Sequence, residues 1–209
     1  MANFDVQIES LVGSGPTQDE YDQWLSDGAK DLINILPEEL LHKCMKTTTL
    51  NGDTPTLSSA ESKSRILAVL REDADSDEIE QPCIRISSEN YGKVNDPYSI
   101  YYATYNTPVY VIHNNILRVS PAPTNGQVAS VCHVDYPSIN ADGGSSIANF
   151  PDEAEYLVVL YAAIKAAQSL LASEEDIELY GPIIQTLKED YTKGLQALIS
   201  PRGEEKNAN

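Results

Sequence analysis

Apolar positions recur at helical spacing towards both ends of the chain and at strand spacing between them. Tyr21, Trp24, Leu25, Gly28, Leu32, Ile33, Ile35 and Leu36 fall on roughly one face of a helix. Thr17-Gln-Asp-Glu20 ahead of them reads as a capping box, and acids cluster in the first turn, where the helix dipole favours them. Pro37 interrupts, and Glu38 to Lys43 restart as a short helix with proline at its first position. Near the other end, Pro151-Asp-Glu-Ala opens the strongest helix, with Leu157, Leu160, Tyr161, Ile164, Ala167, Gln168 and Leu171 on one face. Ala162, Ala163, Ala166 and Ala167 keep much of its remaining surface small, so that a neighbouring helix can approach closely. Ser173-Glu-Glu-Asp176 predicts a second capping box. The helix behind it is broken or kinked at Gly181-Pro182 and runs to about Ile199.

The middle of the chain predicts strands. Thr47 to Leu50 and Thr54 to Leu57 flank Asn51-Gly52-Asp53, a hairpin signal. Ser64 to Leu70 reads as a strand, Glu72 to Glu80 as a charged loop, and Cys83 to Ser87 as a short run of either kind. Val109 to Ile112 and Ile116 to Val119 flank His113-Asn114-Asn115, residues that tolerate the left-handed conformations of a tight turn. Pro121 and Pro123 end the second of these strands. After Asn125-Gly126, Val128 to Tyr136 alternates apolar and polar residues as a half-buried strand should. These three strands form a small antiparallel sheet. The expected class is α+β, with helices segregated from the β region. It comprises a helical bundle from residues 17–43 and 151–199, an inserted antiparallel β region at 47–136, one domain over 1–199, and a flexible polar tail at 200–209.

Charge and composition narrow the function. The 209 residues include 32 Asp and Glu against 14 Lys and Arg, a formal net of -18. Residues 1–80 hold 17 acids and 6 bases, 81–149 hold 4 and 3, and 150–209 hold 11 and 5. Such a balance argues against gripping phosphate backbones, which needs a basic surface. No run approaches the ~20 apolar residues of a membrane helix, so no membrane partner is expected. The acidic stretch Met1 to Glu9 lacks the basic and then apolar leader of a secretory signal. Cys44, Cys83 and Cys132 are odd in number and irregular in spacing, which fits reduced thiols.

A search for chemistry finds no active site. In Cys132-His133-Val134-Asp135, strand neighbours face opposite ways, so Cys132 and His133 are no nucleophile–base pair. His133 and Asp135 share a face, but no serine is identifiable as their nucleophile, and they read as sheet residues with one face wet. Asp73, Asp75 and Asp77 resemble the start of a calcium loop, yet its sixth and twelfth positions are Glu78 and Ile84 instead of glycine and glutamate. His42, His113 and His133 are scattered, and His42 with Cys44 has no zinc-site spacing. Gly13-Ser-Gly15 and Gly143-Gly144 match no phosphate loop, and Glu38-Glu39 and Glu174-Glu175 are explained as helix-start acids. No cofactor and no metal are expected. Tyr91, Tyr98, Tyr101, Tyr102, Tyr105 and Tyr110 crowd into a short span with only Arg85, Lys93 and Arg118 nearby. A nucleic-acid stacking platform would lack its electrostatic half there, whereas a core edge or a protein interface suits such residues.

The stretch from Tyr102 to Leu171 resembles bacteriophage head-to-tail adaptors, also called connector or neck proteins. The likeness lies in an ordered set of motifs. Ile116-Leu-Arg-Val-Ser-Pro-Ala-Pro123 leads to a strand ending in Tyr136-Pro137, a loop follows, and Phe150-Pro-Asp-Glu-Ala-Glu155 enters the alanine-rich helix Leu157 to Ala167. About a third of the chain carries it, and the segment Leu50 to Gln81 is extra relative to simpler members. The resemblance implies a non-enzymatic virion protein at the head–tail junction, made and assembled in the host cytoplasm. It would form a homo-oligomeric ring, commonly of twelve copies, bound to the portal and to the next neck or tail protein. DNA would pass through its lumen without sequence-specific binding, and an acidic wall would keep phosphates from sticking. It also implies that Ile199, Ser200, Pro201 and Arg202 begin a terminal segment that orders on the portal. Tyr102, Tyr105 and Tyr110 are the candidate ring-interface tyrosines. The alternatives are another neck or tail component, such as a stopper, terminator or fibre-associated protein, and a cellular enzyme or regulator with an unrecognised site, supported only by the His133–Asp135 pair.

Overall fold

A computed structural model of the chain describes residues 2–51, 65–72, 80–113, 116–123, 127–174 and 176–199. The fold is α+β, with 50% of the described residues helical and 22% in strands. The chain divides into two compact units, one comprising Met1–Cys44 and Tyr136–Asn209, the other Met45–Asp135.

The first unit is helical. It starts with a helix the hydrophobic pattern had not suggested, α1 (Phe4–Val12), whose buried residues Phe4, Ile8 and Val12 follow a four-residue spacing. Gly13 closes α1 at a φ of 88°, a conformation that favours glycine, and donates its N–H to Glu9. In α2 (Gln18–Ile35), Glu20 does reach back: its carboxylate accepts from the Thr17 N–H at 2.8 Å and from the Thr17 hydroxyl at 2.9 Å. The short α3 (Glu38–Leu41) follows, with Pro37 as its cap.

The next helix, α4 (Asp152–Glu174), is central and packs against α1, α2 and α5 (Ile177–Ile199). Its alanines are buried along with Leu157, Val158, Val159 and Leu160, so it is apolar on nearly every side. By length and composition α4 is apolar enough to cross a membrane, contrary to the expectation that no segment is. Its apolarity has another account here, because most of that surface is covered by neighbouring helices. Close approach uses glycine too: a Cβ on Gly28 would lie 2.9 Å from the Tyr161 ring, and one on Gly194 would run into the Leu157 side chain.

Two expectations about these helices are corrected. Ser173 lies inside α4 and donates to the Leu170 carbonyl at 3.0 Å, while Asp176 caps α5 by accepting from the Leu179 N–H at 3.0 Å. Of the expected break or kink at Gly181-Pro182, the break is ruled out, because α5 continues through Pro182 to Ile199.

The second unit holds two sheets. One has the order β1-β7-β2-β3, formed by β1 (Met45–Asn51), β2 (Arg65–Glu72), β3 (Glu80–Pro82) and β7 (Val128–Val134), all antiparallel. The other has the order β4-β5-β6, formed by β4 (Ile84–Arg85), β5 (Val109–His113) and β6 (Ile116–Ser120). β5 and β6 are antiparallel as expected, but β4 joins β5 in parallel.

The anticipated third strand of this sheet, β7, sits instead between β1 and β2 in the other sheet. Its pairing explains the departure. Residues Ala129 to Val134 are all buried, on both faces, so β7 is an interior strand and not a half-wet one. It pairs Met45 with Val134 on one side and Arg65 with Val134 on the other. Leu50, Val69, Tyr110, Leu117, Val119, Ala129 and Val131 form the core of this unit. The Gly52-Asp53 turn and the Thr54–Leu57 arm of the expected hairpin, most of the acidic loop and its calcium-like aspartates, the Asn114-Asn115 and Asn125-Gly126 turns and the tail 200–209 lie outside the described residues.

Candidate functional site

Three arrangements carry polar chemistry. The first completes what the sequence left open. His133 Nε2 lies 2.9 Å from Thr48 Oγ1, and its Nδ1 lies 2.8 Å from Asp135 Oδ1, whose other oxygen is 3.5 Å from Lys46 Nζ. The missing hydroxyl is therefore a threonine, brought from 85 residues away by the β1–β7 pairing. Only strand order could reveal it, because nothing local to Cys132–Asp135 points to Thr48.

In connectivity this is a hydroxyl–imidazole–carboxylate relay. In environment it is a closed polar lock. The His133 ring has no exposed surface, contrary to the expectation of a wet face, and both of its nitrogens are engaged. With Asp135 accepting from Nδ1–H, Nε2 accepts from the threonine hydroxyl, and a buried polar side chain is satisfied.

The second arrangement surrounds Arg71 on β2, which is fully buried. Its Nε donates to the Pro121 carbonyl at 2.7 Å, Nη2 to the Ala122 carbonyl at 3.1 Å and to Gln127 Oε1 at 2.9 Å, and Nη1 to the Glu72 carbonyl. The guanidinium also lies 4.6 Å from the centre of the Tyr105 ring. Glu72 accepts from the Val128 N–H at 2.9 Å. One side chain thus gathers the Pro121–Pro123 turn, the approach to β7 and a tyrosine of the 94–107 loop. Burial pushes the neighbouring Cys83 thiol up to about 12, against the opposing pull of Arg71, and pushes Cys44 up to about 11. Both are held as neutral, inert thiols.

The third is an open cleft of about 330 Å³ in the helical unit, lined by Asp19, Asp22, Gln23, Ser26 and Ser138 to Asn140. Its polar atoms hold the chain together: Asp22 accepts from the Ala141 N–H at 2.7 Å and Ser26 from the Ile139 N–H at 3.0 Å. Among the described residues no group of three or more His, Cys, Asp or Glu is placed to hold a metal ion.

The motifs behind the family resemblance acquire physical roles. In Phe150-Pro-Asp-Glu-Ala-Glu155, Phe150 is buried, Glu153 pairs with Lys43 at 2.7 Å, and Glu155 accepts from the Ile147 N–H at 2.5 Å. Burial raises the Glu155 pKa. The Tyr136 hydroxyl donates to Asn34 at 2.9 Å.

The candidate interface residues separate. Tyr110 is a core residue of the β unit, with a phenol pKa raised by burial, and is not available to a partner. Tyr102 and Tyr105 are 42% and 39% exposed. Ile199 is exposed at the end of α5, and Ser200, Pro201 and Arg202 lie outside the described residues. Tyr98, one of the crowded tyrosines, and Ile100, which the sequence did not single out, are far more open than any of these, at 98% and 92% exposed.

The segment bearing them is built, not slack. Ser99 and Tyr102 close successive turns onto Asp96 and Ser99, Ala103 bonds back to Val94, and Val94, Ala103 and Val109 form a small buried cluster beneath. An aromatic and an aliphatic tip are thereby held out in solvent. No protein-family model and no curated protein matches the chain.

Proposed function

We propose that this chain is a non-enzymatic virion structural protein of the head-to-tail adaptor class. In this reading, helices from both ends of the chain make a bundle carrying the β region, in a single adaptor-like domain over 1–199. Copies form a homo-oligomeric ring at the head–tail junction that joins the portal to the next neck or tail component and lets DNA pass.

The observation that carries the reading is the fixed 94–107 loop with Tyr98 and Ile100 almost wholly exposed. A chain that spends backbone hydrogen bonds to hold large apolar side chains in water is equipped to be covered by another protein. Support also comes from the order β6, proline turn, β7, Tyr136-Pro137, Phe150-Pro151 and α4, which follows the adaptor motif sequence. The half-helical content favours an adaptor over stoppers and terminators, which are richer in β structure.

The polar relay at His133 supports stability better than turnover, because its imidazole is enclosed. The net charge of -18 suits a conduit that DNA slides through, and a basic lumen in an assembled ring would reject that part of the reading.

The test is attachment. Full-length protein added to portal-bearing capsids should appear as a ring beneath the portal in particle images. Protein lacking Ser200 to Asn209 should stay folded but attach less well. Full-length protein that never occupies the vertex would overturn the proposal.

A further inference from the structure

Among the described residues, one buried side-chain polar atom has no hydrogen-bond partner: the phenol oxygen of Tyr21, on α2. The residue is 2% exposed. Burial first, then the charges of Glu9 and Asp5 on α1 and of Glu20 on α2, raise its pKa to about 12, so the phenol lies within electrostatic reach of both helices. An enclosed hydroxyl without a partner costs the folded state what water would have supplied.

The docked position of α1 has further handicaps. Its nine residues are fewer than the ~12–15 at which an isolated helix becomes even marginal in water, so it persists only while packed. It carries Asp5 and Glu9 and no base, and the first Lys or Arg of the chain is Lys30, which follows six acids. Asn3 gives no side-chain cap, and no base closes the last turn. Among the described residues α1 makes no ion pair.

What holds α1 is its packing on α4 with Phe4, Ile8 and Val12 buried, together with three hydrogen bonds at its start. Asn3 Nδ2 donates to the Asp142 carbonyl at 2.6 Å, the Phe4 N–H to Gly144 at 3.2 Å and the Asp5 N–H to Ala141 at 3.3 Å. Water can replace all three.

The exit from α1 is open. Gly13 and Ser14 are exposed, and a Cβ on Gly13 would meet nothing, whereas one on Gly15 would run into the Leu170 side chain of α4. The pivot is therefore Gly13-Ser14, and the chain from Gly15 onward stays against α4, which keeps α2 and α5 around it.

We propose that α1 is a releasable lid on α4 that swings out about Gly13-Ser14 while the rest of the helical unit stays folded. Opening gives the Tyr21 hydroxyl to water and separates the acids of α1 from those of α2. It uncovers the strip of α4 beneath and the Phe4, Ile8 and Val12 face of α1. The lid is a property of the helical unit alone and holds whether or not copies form a ring.

Hydrogen exchange of the full-length protein at low urea concentrations tests it. Amides from Ile8 to Val12 should exchange at least about 100-fold faster than those from Val158 to Ala166 in α4, and their rate should change little with urea, because a local opening exposes little surface. Tyr21→Phe removes the unpartnered hydroxyl and should slow exchange in α1 about 10-fold. Glu9→Gln removes one of the opposed charges and should slow it about twofold.

Exchange of α1 in step with α4, with the same steep dependence on urea, would show that the helix opens only when the whole unit unfolds, and would overturn the proposal. Unchanged or faster α1 exchange in Tyr21→Phe would do the same, because the phenol would then be satisfied while α1 is docked. Faster exchange in Glu9→Gln would count against it equally.

Discussion

The two units solve the problem of an interior in different ways. The helical unit is held by shape: alanines along α4, and glycines at 28 and 194 that let Tyr161 and Leu157 sit against a neighbouring helix. Its charges stay largely outside, which concentrates acidity on its surface. The β unit holds a wholly buried arginine and a wholly buried histidine inside its sheets, each satisfied by named partners. Small residues permit close approach at no cost in desolvation, whereas a buried polar group is stabilising only while every partner remains. The β unit should therefore be the more sensitive to single polar changes and the helical unit to changes in volume.

The sharpest test of that contrast is Arg71→Met. It leaves the carbonyls of Glu72, Pro121 and Ala122 without their donor and should cost about 3–5 kcal/mol, read as a shift in urea midpoint. A neutral result would mean that the guanidinium is not what holds the proline turn.

Thr48→Val comes next. It preserves shape but strips one partner from the enclosed imidazole, at an expected cost of about 1–3 kcal/mol. Esterase turnover that disappears in this variant would instead reveal a working relay.

In the helical unit, Gly28→Ala sets strain against propensity. The new Cβ meets the rigid Tyr161 ring, and overpacking of about 1–3 kcal/mol is offset by about 1 kcal/mol of better helix propensity. A modest net loss of stability is expected, and a gain would show that α2 and α4 can slide apart freely.

The smallest effect is alkaline. Burial first, and nearby Glu9, Asp5 and Glu20 after it, push the Tyr21 phenol up to about 12, and burial does the same for Tyr191. The raised thiols of Cys44 and Cys83 add to this. Unfolded thiols and phenols ionise near pH 9 and 10, while the folded groups keep their protons. Unfolding therefore releases protons, and stability should be intact below about pH 9 and decline as pH climbs towards 11 and 12. Urea midpoints and thiol alkylation rates followed against pH would check it, with slow alkylation of Cys44 and Cys83 in the folded state.

Local chemistry made much of the helical unit legible. The reach of Glu20 to Thr17, the stop at Pro37 and the long α4 all follow from residues within a few positions of one another. Where local signals misled, a competing local option won: Ser173 bonds back within α4, and Asp176 takes over as cap. The helix α1 was legible in principle from Phe4, Ile8 and Val12 but is masked by the polar residues between them.

The mixed class, most of the helices and strands, the uneven charge and the ordered motifs between Ile116 and Ala167 could all be read along the chain. Those depend on spacing, caps and composition, which are properties of neighbouring residues. Folding in three dimensions settled which sheet β7 enters, that Thr48 meets His133, that Arg71 gathers a distant turn, and that Tyr110 is covered while Tyr98 and Ile100 are not. Each of these is set by contacts between residues far apart in the chain, where two strands of similar pattern have several partners open to them and burial alone selects one.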